Sequence, residues 1–188
     1  MKLKKRFEGW TLFLDRDGVI NEKLEGDYVK NWDDFTFKSR SLEAIAGLSN
    51  IFARIFIVTN QRGVGIGIMT EAKLIEIHDK MLAVIEKASG RVDKIFYCTC
   101  INNNAECRKP NIGMALKAKN DFPEIDFSRS IMVGDSISDM EFGKNIGMKR
   151  IYISDGVKAL TKYQKTLINF EFSSLYEFYV VCKNLIFD

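Results

Sequence analysis

Two aspartates stand one residue apart at the end of a short apolar run. The run is Thr11–Leu14, and Asp15, Arg16, Asp17 and Gly18 follow it directly. Because residues i and i+2 of a strand point to the same side, both carboxylates should emerge together where the strand ends. Neighbouring carboxylates repel each other unless a cation lies between them or one keeps a proton. The pair therefore predicts either a bound cation or a reaction that needs one ionised and one protonated carboxylate. With a phosphate as substrate, an ionised Asp15 would attack phosphorus while Asp17, holding a proton, acts as acid and then base.

Polar residues also follow the other apolar runs of the chain. Thr59 and Asn60 end the second run, Asp135 follows the fourth, and Lys109 comes after the third, before a helical pattern. Asp135 adds a third carboxylate to the first pair, and carboxylate oxygens are ligands that suit Mg²⁺. Lys109 and Thr59 offer a positive charge and a hydroxyl group to an anionic substrate. The residue types together predict a magnesium-dependent site that binds phosphate.

Short apolar runs alternate with helical patterns, which predicts an α/β fold. The predicted strands are Thr11–Leu14, Ile55–Val58, Lys94–Tyr97, Ile131–Val133 and Arg150–Ile153. The predicted helices are Ser41–Ser49, 70–89, Ile112–Asp121, Ser136–Asn145 and Ser174–Leu185. This order favours a doubly wound, mainly parallel, Rossmann-like sheet with helices on both faces. In such sheets ligands bind at the carboxyl ends of the strands, where the polar residues collect. We expect one domain over residues 1–188, without a separate cap domain.

Composition limits the classes of protein that the chain can belong to. Its 188 residues are 46% hydrophobic and 28% charged, with a net charge of +3, which is too small to indicate nucleic-acid binding by itself. The basic N-terminus, residues 1–8, is expected to be solvated and flexible. Apolar runs are too short to span a bilayer and no signal-peptide pattern is present, so we expect a cytoplasmic protein with no membrane partner. The four cysteines are accordingly expected to be reduced thiols or metal ligands.

Four short motifs occur in the order that is typical of the haloacid dehalogenase superfamily of phosphatases. They are DRDG at 15–18, TN at 59–60, RKP at 108–110 and GDSISD at 134–139, and the chain resembles that superfamily over roughly residues 10 to 150. The resemblance implies Asp15 as nucleophile, Asp17 as general acid and base, Thr59 as a phosphoryl contact and Lys109 as the stabilising cation. It places Mg²⁺ on Asp15, the Asp17 main-chain carbonyl and Asp135. Asp139 would be either a second metal contact or a partner that orients Lys109.

Longer segments resemble the branch of that superfamily that acts on histidinol phosphate and on heptose bisphosphates. The segments are DRDGVIN, DYVKNWDDFTF, VTNQRGVGIGIMTE and CRKPNIGM. The branch implies a small sugar phosphate as substrate, most simply the 7-phosphate of D-glycero-D-manno-heptose 1,7-bisphosphate, handled by a monomer or homodimer. The implied substrate contacts are Asn60, Arg62, Arg108, Asp27 and Tyr28. Alternatives are a histidinol-phosphate phosphatase, a nucleic-acid 3′-phosphatase and a non-catalytic sensor of phosphorylated ligands. Nucleic acid is the weaker alternative, because no stretch interleaves basic and aromatic residues.

A cysteine loop departs from the pattern of this branch, whose members often carry a zinc loop before RKP. Cys98, Cys100 and Cys107 offer three thiols, but Ala105 stands where the pattern has a further ligand. Structural zinc is almost always bound by four ligands. Glu106, an asparagine-containing turn or water would have to complete a zinc site, and the alternative is a degenerate loop of reduced thiols.

Two other positions bear on substrate and catalyst. The branch commonly has an arginine where Ile66 stands, and Arg62 either replaces it from an earlier position or is a solvated loop charge. The single histidine, His78, falls on the apolar face of the helix at 70–89 and is expected to be a core or boundary residue. The interval from Asp15 to Thr59 is 44 residues and that from Thr59 to Lys109 is 50, which leaves no room for a cap domain. Specificity should therefore come from loops at 21–31, 61–69 and 98–107.

Overall fold

The structure, a computed structural model, describes residues 7–154, 156 and 159–185. Within those residues the strands are β1 Thr11–Leu14, β2 Arg54–Asn60, β3 Lys94–Cys98, β4 Ser130–Gly134, β5 Lys149–Ile153 and β6 Phe170–Phe172. The α-helices are α1 Ser41–Ser49, α2 Arg62–Gly65, α3 Glu71–Lys87, α4 Gly113–Asp121, α5 Ile137–Asn145, α6 Lys162–Thr166 and α7 Leu175–Asn184. A 3₁₀ turn spans Phe127–Arg129.

All six strands form one parallel sheet in the order β3-β2-β1-β4-β5-β6. Strands β2 and β3 lie on one side of β1, and strands β5 and β6 lie on the far side of β4. The order therefore reverses between β1 and β4, and the crevice at this point is where doubly wound sheets bind ligands. The prediction of a mainly parallel, doubly wound sheet is confirmed.

Alternating side chains of the central strands supply two apolar layers. Leu12 and Leu14 of β1 belong to a core cluster under α1, α3 and α7, whereas Phe13 belongs to a second cluster under α4. Both sets of side chains are fully buried. Helices therefore cover both faces of the sheet. This close packing holds the strands in place, and with them the side chains at their carboxyl ends.

Several local predictions differ from the structure. The short strand β6 and helices α2 and α6 are absent from the predicted elements, and α4 begins at Gly113, one residue after the predicted start at Ile112. Phe7, inside the terminus predicted to be flexible (1–8), is buried against Trp10 and Phe52, so that prediction is wrong for Phe7. Residues 1–6 of that terminus lie outside the described residues. Among the helices that the structure describes, none combines the length and the apolar character that crossing a bilayer requires.

Helices α1 and α7 approach each other closely at Gly47. A Cβ atom at this position would lie 2.1 Å from a ring atom of Tyr179. Replacing glycine by alanine inside a helix normally stabilises it by about 1 kcal/mol. Here the added methyl group would force the tyrosine ring out of its packed position, which costs about 1–3 kcal/mol.

We therefore expect Gly47→Ala to lower the free energy of unfolding, as measured by urea denaturation. In a Tyr179→Ala background the obstacle is gone, and the same substitution should raise the free energy of unfolding by up to about 1 kcal/mol. A Gly47→Ala effect of the same sign and size in both backgrounds would contradict the close approach.

Candidate active site

A cavity of about 240 Å³ opens at the carboxyl ends of β1, β2 and β4. Its lining contains the predicted residues from all four motifs, which are Asp15, Asp17, Thr59, Asn60, Lys109, Asp135 and Asp139. The predicted substrate contacts Asp27 and Tyr28 line it too. Segments far apart in the chain thus meet where the strand order reverses.

The ammonium group of Lys109 is buried between two carboxylates. Its Nζ lies 3.0 Å from Asp15 Oδ1 and 2.5 Å from Asp139 Oδ1, and it donates a hydrogen bond of 2.7 Å to the Val58 carbonyl. Burial alone would lower the pKa of Lys109, but Asp139 and Asp15 outweigh burial and raise it. The lysine is therefore a permanent cation next to Asp15.

Asp139 acts on Lys109 and on the start of α5 at once. Its other oxygen, Oδ2, accepts hydrogen bonds from the Ser136 backbone N–H at 3.0 Å and from the Ser136 hydroxyl at 2.6 Å. Ser136 caps α5 in return, forming a capping box. Both oxygens of Asp139 are occupied by protein groups, which favours the role of orienting Lys109 over that of a second metal contact.

Asp17 lies in a very different environment from Asp15. The Arg16 guanidinium Nη2 is 2.9 Å from both of its carboxylate oxygens, Asn21 Nδ2 is 2.9 Å from Oδ1, and Gln61 Nε2 is 2.9 Å from Oδ2. Burial by itself would raise the pKa of Asp17, but the charge and hydrogen bonds of Arg16, with those of Asn21 and Gln61, lower it. The clamp fixes the orientation of this carboxylate at the cavity.

The pKa shifts of Asp15 and Asp17 are opposite to the protonation states that the sequence predicts for them. Burial raises the pKa of Asp15 to about 7; Lys109 opposes this shift, while Asp139, Asp135 and Asp17 add to it. The sequence predicts an ionised Asp15 and a protonated Asp17, but without a metal ion the shifts favour the reverse. The reason is that Asp15 shares its pocket with other carboxylates, whereas an arginine neutralises Asp17. A divalent cation beside Asp15 would oppose this shift.

Gln61 connects Thr59 with Asp17. Its Nε2 donates to Thr59 Oγ1 at 2.8 Å as well as to Asp17 Oδ2, and the residue is buried. Because the threonine hydroxyl accepts this bond, its own hydrogen can point toward an anion in the cavity.

Asn60 connects the second motif with the third. Its Oδ1 accepts from the Lys109 backbone N–H and its Nδ2 donates to the Lys109 carbonyl, both at 3.0 Å. The side chain lines the cavity, as predicted for a substrate contact, but this pair of bonds uses both of its amide groups to hold the lysine backbone.

Three carboxylates at this site form a set that suits a divalent cation. Oxygen atoms of Asp15, Asp135 and Asp139 lie within 4.8 Å of one another. Asp135 Oδ1 is buried without a hydrogen-bond partner among the residues that the structure describes. The ammonium of Lys23 lies 2.7 Å from Asp135 Oδ2, so a cationic group already occupies the outer side of this carboxylate. Hard oxygen donors and an unpaired buried oxygen both match the preference of Mg²⁺.

Gly18 lets Asp135 reach this set. Its backbone has φ +88°, a conformation that favours glycine, and a Cβ there would lie 2.4 Å from Asp135 Oδ2. The glycine of the first motif thus makes room for the carboxylate of the fourth.

The two predicted arginine contacts lie beyond the cavity lining. Burial and then the charge of Arg62 lower the pKa of Arg108, with Tyr28 acting in the other direction. Arg108 is half-buried and donates to the Cys100 carbonyl at 3.4 Å, whereas Arg62 is exposed at the start of α2. The structure places both arginines near Tyr28, at the outer side of the site.

The cysteine loop differs from its prediction. Cys98 and Cys107 form a disulfide with their Cα atoms 5.4 Å apart, so the expectation of reduced thiols is wrong for this pair. The loop brings the end of β3 against the residue before Arg108, at a distance that disulfides span. Cys100 remains free, with its sulfur 3.6 Å from that of Cys107. The three sulfur atoms lie close together without Glu106, but zinc binds thiolates, so the zinc site stays a prediction that applies to the loop with this disulfide reduced.

Sequence reasoning leaves several contributors to the site unassigned. Arg16, Asn21 and Gln61 hold Asp17, Lys23 pairs with Asp135, and His78 contacts Arg16. Gln61 stands two residues after Thr59 at the end of β2, and this spacing is a signal that it shares the face of that threonine. His78 is buried, as predicted, but no local pattern indicates which residue it contacts.

Comparisons with known proteins agree with this geometry. The sequence model of the polynucleotide kinase 3 phosphatase family matches residues 12–162. The chain is 40% identical over 135 residues to a D-glycero-alpha-D-manno-heptose-1,7-bisphosphate 7-phosphatase of Campylobacter jejuni, covering 72% of this chain and 76% of the relative. It is 30% identical over 182 residues to a D-glycero-beta-D-manno-heptose-1,7-bisphosphate 7-phosphatase of Pasteurella multocida, covering 93% and 97%.

A solved structure is similar over nearly the whole chain. The D,D-heptose 1,7-bisphosphate phosphatase of B. bronchiseptica, complexed with magnesium and phosphate, superposes with a TM-score of 0.79 at 28% identity. The match covers 94% of this chain and 98% of that one. Fold and sequence therefore point to the same group of phosphatases.

The raised pKa of Asp15 predicts how stability depends on pH in the metal-free protein. Its folded pKa of about 7 lies above the ordinary value of 3.8, so the folded state holds a proton that the unfolded state releases between these values. Ionisation of Asp15 therefore costs stability as pH rises toward 7, and the full cost is present above pH 7. In Asp15→Asn this cost is absent.

We expect the stability of Asp15→Asn relative to the original protein to increase by about 2.5 kcal/mol between pH 5 and pH 8. Urea denaturation of both proteins with a chelator present measures the difference. At pH 8, added Mg²⁺ should reduce the difference in stability between the two proteins, because it binds and stabilises the original protein. An equal difference at both pH values would mean that Asp15 titrates normally.

Proposed function

This chain belongs to the polynucleotide kinase 3 phosphatase family and is a phosphatase, and we propose that it removes the 7-phosphate of D-glycero-D-manno-heptose 1,7-bisphosphate. The observation that carries the chemistry is the placement of Asp15 at the cavity, with Lys109 against it and Asp17 clamped nearby. The substrate is supported by the names of the relatives at 30–40% identity.

In the first step an Asp15 oxygen attacks the phosphorus of the 7-phosphate. The new bond forms as the bond between phosphorus and the sugar oxygen breaks, leaving a phosphorylated aspartate. The departing sugar oxygen takes a proton from Asp17. The ammonium of Lys109 and the hydroxyl of Thr59 stabilise the charge on the transferring group.

In the second step water attacks the phosphorylated aspartate. Asp17, now ionised, accepts a proton from the water, and the bond between phosphorus and the Asp15 oxygen breaks. Inorganic phosphate leaves and both aspartates return to their starting states. The clamp of Arg16, Asn21 and Gln61 holds Asp17 for both transfers.

The residues that would hold Mg²⁺ are Asp15, Asp135 and the main-chain carbonyl of Asp17. A bound Mg²⁺ would relieve the repulsion among the carboxylates and neutralise charge on the phosphoryl oxygens. The unpaired Asp135 oxygen and the magnesium in the similar solved structure support this assignment.

The outer arginines suit the second phosphate of a bisphosphate. Arg108 and Arg62 are close enough for their charges to interact, and repulsion between two guanidinium groups is relieved by an anion between them. We assign the 1-phosphate to this place, with Tyr28 and Asp27 beside the sugar. A nucleic-acid 3′-phosphate is the second candidate, favoured by the match to the polynucleotide kinase 3 phosphatase family.

A panel of phosphates tests the assignment of substrate. We expect phosphate release to be fastest from heptose 1,7-bisphosphate, tested as both anomers, and slower from histidinol phosphate and from a 3′-phosphorylated DNA strand. Asp15→Asn should abolish turnover, and a chelator should stop it until Mg²⁺ is restored, because nucleophile and cation are both required. Turnover retained by Asp15→Asn would contradict the nucleophile. Fastest release from DNA, with a steep dependence on salt, would support the second candidate instead.

The arginine site has its own test. Arg108→Ala should raise KM for the bisphosphate about tenfold, because one charged hydrogen bond to phosphate is lost, and should leave KM for heptose 7-phosphate nearly unchanged. Arg129→Ala, on the 3₁₀ turn at the opposite end of β4, is the matched control and should change neither value. An equal rise for both substrates would place Arg108 at the reacting phosphate instead.

A further inference from the structure

Behind the clamp of Asp17, Arg16 meets a second buried side chain, His78, which has no part in the steps described above. The Arg16 side chain is 1% exposed, and His78 on α3 is 5% exposed. A buried guanidinium is costly unless its N–H groups are bound, so its partners determine where it can lie.

Arg16 is held from two sides. On one side Nη2 contacts both oxygens of Asp17 at 2.9 Å, and Nε lies 3.3 Å from Oδ1. On the other side Nη1 is 3.2 Å from His78 Nε2. The imidazole and the carboxylate thus fix the guanidinium plane between them.

The direction of the bond to His78 follows from chemistry. A guanidinium group only donates, so His78 Nε2 must accept, and the ring proton belongs on Nδ1. Burial, and then the charge of Arg16, lower the pKa of His78 to about 3, so the ring is neutral under ordinary conditions. Its ring also packs 5.6 Å from that of Tyr97, which restricts its rotation.

We propose that His78 is a positioning residue which, through Arg16, orients the Asp17 carboxylate for proton transfer to the departing oxygen. This inference depends on the proposed function of Asp17. Without His78 Nε2 as acceptor, one N–H group of the Arg16 guanidinium would be buried unpaired. The side chain of Arg16 would then rotate to reach another acceptor. Asp17 would then keep only the neutral amide donors of Asn21 and Gln61.

A misdirected Asp17 affects one class of substrate more than another. A sugar oxygen leaves poorly as an anion and needs the proton, whereas p-nitrophenolate leaves without one. The attack by Asp15 is common to both substrates. A loss confined to poor leaving groups therefore identifies a fault in proton transfer, and general loss of structure would not produce it.

The test compares kcat and KM of His78→Leu with those of the original enzyme. One substrate is the alkyl phosphate of the panel that turns over fastest, and the other is p-nitrophenyl phosphate. We expect kcat for the alkyl phosphate to fall by about tenfold or more, with KM unchanged, and kcat for p-nitrophenyl phosphate to fall by less than about threefold. His78→Gln offers an oxygen acceptor in place of Nε2 and should recover most of the loss.

Two further variants test the inference independently of how well His78→Leu folds. Arg16→Lys keeps the charge but loses the two-point grip, and it should show the same substrate pattern even if His78→Leu does not fold. Ile85→Ala, buried on the same helix, is a control for destabilisation and should affect both substrates equally. Equal losses on both substrates for the His78 and Arg16 variants, or no rescue by His78→Gln, would overturn the inference. If the original protein hydrolysed neither substrate, or Asp15→Asn remained active, the proposed function itself would fail.

Discussion

The buried ammonium of Lys109 is the contact on which the rest of the site depends. A charge in the interior must be paired, and Lys109 finds its partners on three elements, in Asp15 after β1, Val58 of β2 and Asp139 of α5. Those contacts bring together the strands on both sides of the point where the sheet order reverses. The same contacts leave an imbalance, because Asp15, Asp135 and Asp139 share only the buried lysine and the more exposed ammonium of Lys23. The site is therefore built to receive additional positive charge.

Identical side chains acquire different chemistry from their neighbours in this site. Asp15 is surrounded by carboxylates and one lysine, so its pKa rises, whereas Asp17 is gripped by a guanidinium and its pKa falls. The proposed nucleophile and proton donor need the opposite separation, with Asp15 ionised and Asp17 protonated, so the metal-free state is not the reacting one. A metal ion beside Asp15 would act on the first environment and leave the second nearly intact. The clamp of Asp17 is therefore a property of the protein alone.

The sequence predicts the central strands and the motif residues because both depend on local patterns. Apolar runs of β-branched and aromatic residues indicate the strands, and their order in the chain indicates where the polar ends converge. Strand β6 is missed because Phe170–Phe172 has only three residues and an exposed Phe170, so it lacks a buried run. The disulfide is missed because reduced cysteines were expected from the compartment, whereas the loop geometry decides which sulfurs meet.

Side chains that position the catalytic residues are harder to predict. The bond between Arg16 and His78 joins residues 62 positions apart, and the bond between Asn60 and Lys109 joins residues 49 apart. Neither contact leaves a periodic signal, because each depends on how a helix or loop docks onto the finished sheet. Gln61 is the exception, since its spacing from Thr59 is local and places it on the same side of the strand end.

Ile66 stands where this branch commonly has an arginine. The geometry of α2 shows how Arg62 could take the place of that arginine. The backbone N–H of Ile66 bonds to the carbonyl of Arg62 at 3.1 Å, so the two residues lie one helical turn apart. Residues at i and i+4 share one face of a helix, and a long arginine side chain reaches across a turn. Arg62 can therefore present its charge to the region that position 66 covers, beside Arg108. On this geometry the proposed second phosphate would keep two guanidinium partners although the sequence pattern has changed.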